Sequence, residues 1–155
     1  MKPVLIKKKS YAIAYEASLL EAPGVEFFSP GLWESRSALV GEAVGRGSAW
    51  FIEASFGAAV LRRYLRGGWV ARITRDSYFF TTFARSRPVR EFKLLAELFE
   101  RGLPVPRPVA ALCERRGLLS GGSIVTLRLA SSSTLADLLP REGSAGPGGD
   151  VWRRV

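Results

Sequence analysis

The strongest hydrophobic periodicity in the chain lies just before and after residue 95. Large apolar residues recur there at helical spacing and form one stripe: Phe92, Leu95, Leu98 and Phe99. Pro88 is suited to the first turn of a helix. Gly102 stands where a helix stop is expected, and the two prolines that follow it forbid continuation. The pattern therefore predicts one main helix that starts near Pro88 and ends near Gly102.

Three apolar runs before this helix read as strands, at 38–44, 49–54 and 58–64. The turn Gly45-Arg46-Gly47-Ser48 separates the first two runs and favours a hairpin. In the second run Trp50 and Ile52 share one face, and Phe51 lies on the other. A second turn at 55–57 leads into the third run. An antiparallel meander is the simplest topology for these three strands.

Two more strands follow the main helix, at 108–114 and 123–129, with a turn predicted at Gly121-Gly122. These give an α+β class with an antiparallel five-stranded sheet and one main helix. This lobe spans 38–130. An N-terminal extension spans 1–37. A third segment, 131–155, contains a short helix, a flexible linker and the beginning of a further element.

Within the N-terminal extension, residues 1–9 read as a basic leader and 13–20 as a short strand or a turn-bounded segment. A helical turn is predicted after Phe28, with Ser29 as its cap and Pro30 as its first residue. Its aromatic residues are expected to cover the edge of the domain.

The amino-acid composition restricts the kinds of partner, catalytic group and metal site that this sequence can have. The 155 residues carry a net charge of +9, which points to an anionic partner such as a nucleotide, a nucleic acid or an acidic membrane surface. No histidine is present, so histidine-based acid–base catalysis and histidine metal sites are excluded for this sequence. The one cysteine, Cys113, cannot form an internal disulfide and is expected to be half-buried in a strand.

Three features suggest phosphate chemistry. A glycine turn between two strands lets backbone N–H groups approach phosphate oxygens, although Trp50 replaces the third glycine of the kinase pattern. Arg62 is the cation on the third strand, and only one of Arg62 and Arg63 can face a cleft. Glu91 lies one turn into the main helix, where it could orient that cation. Each feature alone fits an ordinary turn, a solvated arginine or a first-turn glutamate.

A basic stretch rich in arginine and aromatic residues runs from the third strand through the main helix. Such a composition suits nucleic acid, anionic lipid headgroups or plain solvation. A basic α+β nucleic-acid-binding module without catalysis is therefore one alternative. Another alternative is a different kinase-like phosphotransferase, such as a heptose kinase of lipopolysaccharide core synthesis.

The element order, three strands, a helix and two strands, resembles the small lobe of protein-kinase-like folds. Particular segments resemble the 3-deoxy-D-manno-octulosonic acid (Kdo) kinase family. These are the run from Val44 to Ile52, the run from Leu61 to Gly68, the aspartate-aromatic patch at Asp76, Arg87 with Glu91-Phe92, the Val-Pro-x-Pro stretch after Gly102, and 134–139.

This resemblance implies phosphorylation of the Kdo sugar of Kdo–lipid A, with ATP and Mg²⁺ as cofactors. It implies a peripheral position at the cytoplasmic face of the bacterial inner membrane, an anionic membrane surface as partner, and no nucleic acid. The implied nucleotide-site residues are Gly45, Arg46, Gly47, Ser48, Arg62 and Glu91, with hinge backbone at 126–130.

The family's catalytic loop, of His-x-Asp character, and its later metal-binding aspartate have no counterpart in these 155 residues. The resemblance implies that the catalytic base and the metal ligands lie beyond Val155, so none is assigned to this sequence. The sequence is expected to be a truncated, inactive form that contains the small lobe but not the second lobe.

Overall fold

The structure, a computed structural model, describes residues 1–43, 48–64, 78–79, 82–117 and 119–129. Within these residues the chain is an α+β fold of eight strands and two α-helices. The strands are β1 Pro3–Lys7, β2 Tyr11–Glu16, β3 Leu39–Ala43, β4 Ala49–Ala54, β5 Gly57–Arg63, β6 Tyr78–Phe79, β7 Pro108–Arg116 and β8 Leu119–Leu127. The helices are α1 Pro30–Ser35 and α2 Arg87–Glu100.

All strands belong to one antiparallel sheet, ordered β1-β2-β7-β8-β5-β4-β3, and β6 pairs with β8 outside this path. The predicted meander of β3, β4 and β5 is confirmed, since Ala49 pairs with both Ala43 and Arg62. The predicted number of five strands is wrong. Residues 1–9 supply β1, which pairs with β2, and β2 pairs with β7. The three lysines suggested a leader. The apolar residues before them instead form backbone hydrogen bonds in the ladder between β1 and β2.

The second correction concerns the turn between β7 and β8. Gly121 and Gly122 lie inside β8, where they pair with Glu114 and Cys113. The chain reverses earlier, near Gly117, whose φ of 65° is left-handed. Gly122 is needed in the strand for a different reason. A Cβ at this position would lie 2.2 Å from the Leu112 carbonyl oxygen and 2.6 Å from Cγ of Pro88.

Each face of the sheet carries a buried cluster, and alternation along the strands separates the two cores. On one face α2 packs over a cluster of Ala14, Tyr64, Val89, Phe92, Ala111, Cys113 and Ile124. On the other face the N-terminal segment covers a larger cluster that includes Ile13, Ile52, Leu61, Leu112 and Val125. Arg62 is therefore on the α2 face, between Leu61 and Arg63 of β5.

The main helix was correctly predicted in position, with Ser86 as N-cap and Gly102 in a left-handed conformation after the last turn. The predicted apolar stripe is only partly right. Phe92 is buried, but Phe99 is 38% exposed and has the guanidinium of Arg107 5.6 Å from its ring centroid. The residues of α2 that are themselves buried are Pro88, Val89, Phe92 and Ala96.

The N-terminal aromatic residues do more than cover an edge. Phe28 and Trp33 are buried in the larger core, and the indole N–H of Trp33 donates a 2.9 Å hydrogen bond to the carbonyl oxygen of Phe27. Ser29 is the N-cap of α1 and Pro30 opens the helix, but the Ser29 side chain makes no capping hydrogen bond. Cys113 is fully buried rather than half-buried, because β7 is an interior strand.

The predicted short helix and linker in 131–155 lie outside the described residues. Val155 is among these residues, so the structure does not test the prediction that the catalytic base and the metal ligands lie beyond it. The division into segments 1–37, 38–130 and 131–155 stays a prediction, although β1 and β2 are part of the same sheet as the lobe. Among the described residues, no helix has the length and apolar character needed to cross a membrane.

Candidate functional site

The sequence-predicted cation and carboxylate meet across the gap between the sheet and α2. Nη2 of Arg62 lies 2.6 Å from Oε1 of Glu91 and donates a hydrogen bond to it. The Arg62 side chain is 46% exposed and that of Glu91 is 27% exposed. The predicted ion pair is therefore confirmed. It is a charge-assisted contact at the rim of the smaller core, with one partner on β5 and the other on α2.

Local sequence explains why the pair forms. Residues of β5 alternate between faces, so Leu61 enters the larger core while Arg62 emerges on the α2 side. Glu91 precedes Phe92, which is buried against the sheet, so the carboxylate lies at the edge of the buried face of α2. The open rim gives the guanidinium access to solvent, which leaves it able to bind a second anion.

Ser48, the last residue of the predicted glycine turn, lies beside the end of β5 that carries Arg62. Ser48 precedes β4, and its carbonyl oxygen accepts a 3.1 Å hydrogen bond from the backbone N–H of Arg63. Ala49, the next residue, is the register partner of Arg62. The structure thus brings Ser48, Arg62 and Glu91 to one end of the sheet. Gly45, Arg46 and Gly47 lie outside the described residues, and their proposed contacts with phosphate stay a prediction.

Two further residues, Tyr64 and Arg87, belong to the same cluster. No role was predicted for either of them from the sequence. Tyr64 is two residues after Arg62 and is 7% exposed. The guanidinium carbon of Arg87 lies 5.0 Å from the centroid of the Tyr64 ring. The signal was available in the spacing, because positions i and i+2 share a strand face, and Arg87 and Glu91 are four apart on a helix. Knowing that these two faces oppose each other required the fold.

A groove of about 800 Å³ runs along α2 next to this cluster. Its lining is predominantly basic and consists of Arg85, Arg87, Arg90, Glu91, Lys93, Leu94 and Glu97. Four cations and two carboxylates give this wall a net positive charge, which favours anionic groups near the Arg62–Glu91 pair. Leu94 is the large apolar residue exposed there.

The predicted hinge, 126–130, begins in the last residues of β8 and continues beyond the end of this strand. Thr126 is buried in β8 and pairs with Val60 of β5. Beyond β8, the backbone N–H of Arg128 donates to the carbonyl oxygen of Ala58. Ala130 lies outside the described residues, and the contact of this backbone with adenine stays a prediction.

Comparison with known proteins identifies the group to which the chain is related. The sequence model of the lipopolysaccharide kinase (Kdo/WaaP) family matches residues 31–154. This match covers most of the chain and includes Ser48, Arg62 and Glu91. The chain belongs to the lipopolysaccharide kinase (Kdo/WaaP) family.

Curated relatives in this family are named 3-deoxy-D-manno-octulosonic acid kinase. The protein of Stenotrophomonas maltophilia (strain K279a) is 43% identical over 144 residues, which cover 93% of this chain and 57% of the relative. That of Xylella fastidiosa (strain 9a5c) is 47% identical over 125 residues, or 81% of this chain and 50% of the relative. The chain therefore spans about half the length of the curated relatives that it matches. No solved structure matches it.

Kinases in general take ATP and a divalent metal ion. The described residues fit the first of these, since Arg62 offers a partly exposed guanidinium beside the first residue of β4. They do not fit the second. Among the described residues, no group of three or more Cys, Asp or Glu side chains is arranged to hold a metal ion. The expectation that the metal ligands lie beyond Val155 stays a prediction.

Proposed function

We propose that this chain provides the nucleotide-binding lobe of a kinase that transfers the γ-phosphoryl group of ATP to Kdo in a Kdo–lipid A acceptor. The Kdo sugar is inferred from the names of the curated relatives. Its lipid A-linked form is inferred from the resemblance to Kdo kinases, and the lobe from its architecture. The transfer belongs to the synthesis of the lipopolysaccharide core.

The Arg62–Glu91 ion pair carries this proposal. In kinase-type sites a cation on the third strand of the small lobe binds the α- and β-phosphates, and a helix glutamate orients it. Arg62 lies on the third strand of the β3–β5 meander, and Glu91 lies on the helix that follows it. Arginine can accommodate a carboxylate and a phosphate at once, because its planar guanidinium has five N–H donors.

The sheet order supports the same interpretation. The five strands predicted from sequence are consecutive in the order β3-β4-β5-β8-β7, and α2 connects β5 with β7 and packs on the sheet. This is the arrangement expected of a kinase-like small lobe, with β1 and β2 added beyond β7. The β3–β4 turn is then the loop over the phosphates.

Each predicted site residue has a role in this proposal. Backbone N–H groups of 45–48 contact phosphate oxygens, Arg62 neutralises the α- and β-phosphates, and Glu91 fixes the direction of Arg62. Mg²⁺, when bound, would neutralise phosphate charge. Its ligands are not assigned to residues of this chain.

We further propose that the protein acts at the cytoplasmic face of the inner membrane, as a peripheral protein on an anionic surface. The net charge of +9 and the basic groove along α2 support this proposal. Sedimentation with vesicles of anionic or zwitterionic lipid tests it, and an oligonucleotide competitor is included. Preference for the oligonucleotide over anionic vesicles would contradict it.

A chimaera tests the kinase function directly. The segment of the S. maltophilia enzyme that this chain matches is replaced by the corresponding residues of this chain. Transfer of radiolabelled phosphate from ATP to Kdo–lipid A is then measured. We expect the chimaera to be active, and Arg62→Ala to reduce its kcat/KM roughly 100-fold or more, as for loss of other electrostatic transition-state contacts.

Arg101→Ala is the matched control, because Arg101 also pairs with a glutamate of α2 but lies on the solvent side. Activity that survives Arg62→Ala, or falls equally with Arg101→Ala, would contradict the assigned site. Phosphorylation of a heptose-containing acceptor and not of Kdo would correct the substrate while leaving the lobe assignment in place.

A further inference from the structure

Four side chains join the end of β5 to the first turns of α2 in two parallel contacts. Arg62 and Tyr64 project from the same face of the chain, two residues apart, and Arg87 and Glu91 are four residues apart on α2. Arg62 pairs with Glu91, and Arg87 stacks over Tyr64. Each pair thus takes one member from the sheet side and one from the helix.

Tyr64 is the buried member of this cluster. It packs with Val89 and Phe92 of α2 and with Ile124 of β8. Its backbone N–H donates a 3.0 Å hydrogen bond to the carbonyl oxygen of Gly122, which fixes the residue against β8 immediately after β5 ends. The Tyr64 ring is therefore held between the sheet and α2, and its size contributes to the distance between them.

The hydroxyl group of Tyr64 is buried and lacks a hydrogen-bond partner of good geometry within the described part of the chain. Burial raises the pKa of Tyr64, and the nearby Glu91 carboxylate raises this pKa further, whereas Arg62 and Arg87 act in the opposite direction. Glu91, Arg62 and Arg87 therefore all lie within electrostatic range of the Tyr64 hydroxyl group. A buried hydroxyl without a partner is costly, so a small movement that lets it donate to Glu91 is favoured.

We propose that Tyr64, held in place by Arg87, is a positioning residue that sets the distance of α2 from β5 and directs the Glu91 carboxylate toward Arg62. The ring determines the spacing, and the hydroxyl is a second donor for Glu91. When Arg62 shares its N–H groups with a phosphate, Glu91 keeps the Tyr64 donor and stays in place. The catalytic consequence rests on the proposed function, whereas the Tyr64–Glu91 coupling does not.

The coupling is tested first, without nucleotide. Ring resonances of isotope-labelled tyrosine are recorded by NMR in the 155-residue protein. Glu91→Gln is expected to shift the Tyr64 signal and to leave the Tyr15 signal unchanged, because Tyr15 belongs to the core on the other face of the sheet. An unchanged Tyr64 signal in Glu91→Gln would overturn the positioning role, whatever the protein does with ATP.

The functional consequence is tested in the active chimaera with Tyr64→Phe, which removes only the hydroxyl. We expect kcat/KM to fall about 5- to 20-fold, an amount that corresponds to one hydrogen bond. Tyr15→Phe is the matched control. In a Glu91→Ala background, Tyr64→Phe should cause no further loss, because the acceptor of its hydrogen bond is already absent.

Arg87→Leu removes the cation that stacks over the Tyr64 ring but leaves the Tyr64 hydroxyl in place, so it distinguishes the two contributions. It is expected to lower kcat/KM and to shift the Tyr64 NMR signal, and Arg87→Lys is expected to restore part of both effects through its remaining positive charge. Full activity of Tyr64→Phe in a chimaera that Arg62→Ala inactivates would overturn this inference and leave the kinase proposal intact. If the chimaera is inactive but Glu91→Gln still shifts the Tyr64 NMR signal, the kinase proposal is contradicted and the Tyr64–Glu91 coupling stands.

Discussion

Removing the Arg62–Glu91 ion pair should weaken the fold slightly and the proposed site strongly. At an effective dielectric constant of about 20, two unit charges about 4 Å apart attract by roughly 4 kcal/mol. Because Arg62 is 46% exposed, solvent screening and desolvation cancel most of this attraction. We expect a net coupling of about 0.5–1 kcal/mol, the upper part of the range for exposed pairs.

The measurement is a double-mutant cycle with Arg62→Met and Glu91→Gln, in which urea unfolding is followed by tryptophan fluorescence. A coupling of this size corresponds to roughly 1–4 °C in Tm for a chain of this length. High salt should reduce it, since part of the pair is in contact with solvent.

The pair formed by Arg101 and Glu97 is the internal control, because it has the same chemistry on the exposed face of α2, with side chains 67% and 59% exposed. Its coupling should be about 0.3–0.5 kcal/mol, as for other pairs four residues apart on a helix. Arg62–Glu91 coupling that is zero, or smaller than that of the control pair, would refute the interpretation of a preorganised contact between β5 and α2.

Three other predictions concern the scaffold. Burial by itself would raise the pKa of Glu16, but hydrogen bonds from backbone N–H groups and a serine hydroxyl outweigh it and lower this pKa. Glu16 therefore stabilises the fold at neutral pH, and this contribution should vanish as pH falls from the ordinary glutamate pKa through the lowered one. In pH-dependent urea unfolding, Glu16→Gln should remove that loss, and an unchanged acid profile would contradict the assignment. Gly122→Ala should cost about 1–3 kcal/mol, because its Cβ would collide with a carbonyl oxygen and with Pro88, whereas Gly41→Ala should change stability by less than about 0.5 kcal/mol. Equal melting temperatures of the two variants would argue against close contact of α2 with β8. Burial raises the pKa of the Cys113 thiol, so a thiol reagent should modify it only as fast as the protein unfolds, and rapid labelling of native protein would show that β7 is not interior.

Local pattern was sufficient where one segment determines its own structure. The bounds of β4 and the start and stop of α2 follow from alternation, from a proline in the first turn and from Gly102. The pairing of Arg62 with Glu91 was also predictable, because the order of elements restricts where a strand cation and a helix carboxylate can meet. The resemblance to Kdo kinases supplied the rest of that inference.

Local pattern failed where a residue's role depends on a distant neighbour. Gly121 and Gly122 resemble a turn, but Pro88 and the Leu112 carbonyl occupy the space that a side chain would need in β8. Lys7 and its neighbours resemble a leader, but β2 offers a free edge on which β1 completes the sheet.

Sequence patterns and the family resemblance were thus enough to predict the class of fold, the main helix, the family and the two charged residues of the candidate site. That Tyr64 and Arg87 join these two residues is evident only from the fold, because neither residue has a distinctive chemistry for its position. Their role arises from the distance between β5 and α2, which is set by packing in the smaller core. Such a distance depends on many side chains far apart in the chain, and no local pattern contains it.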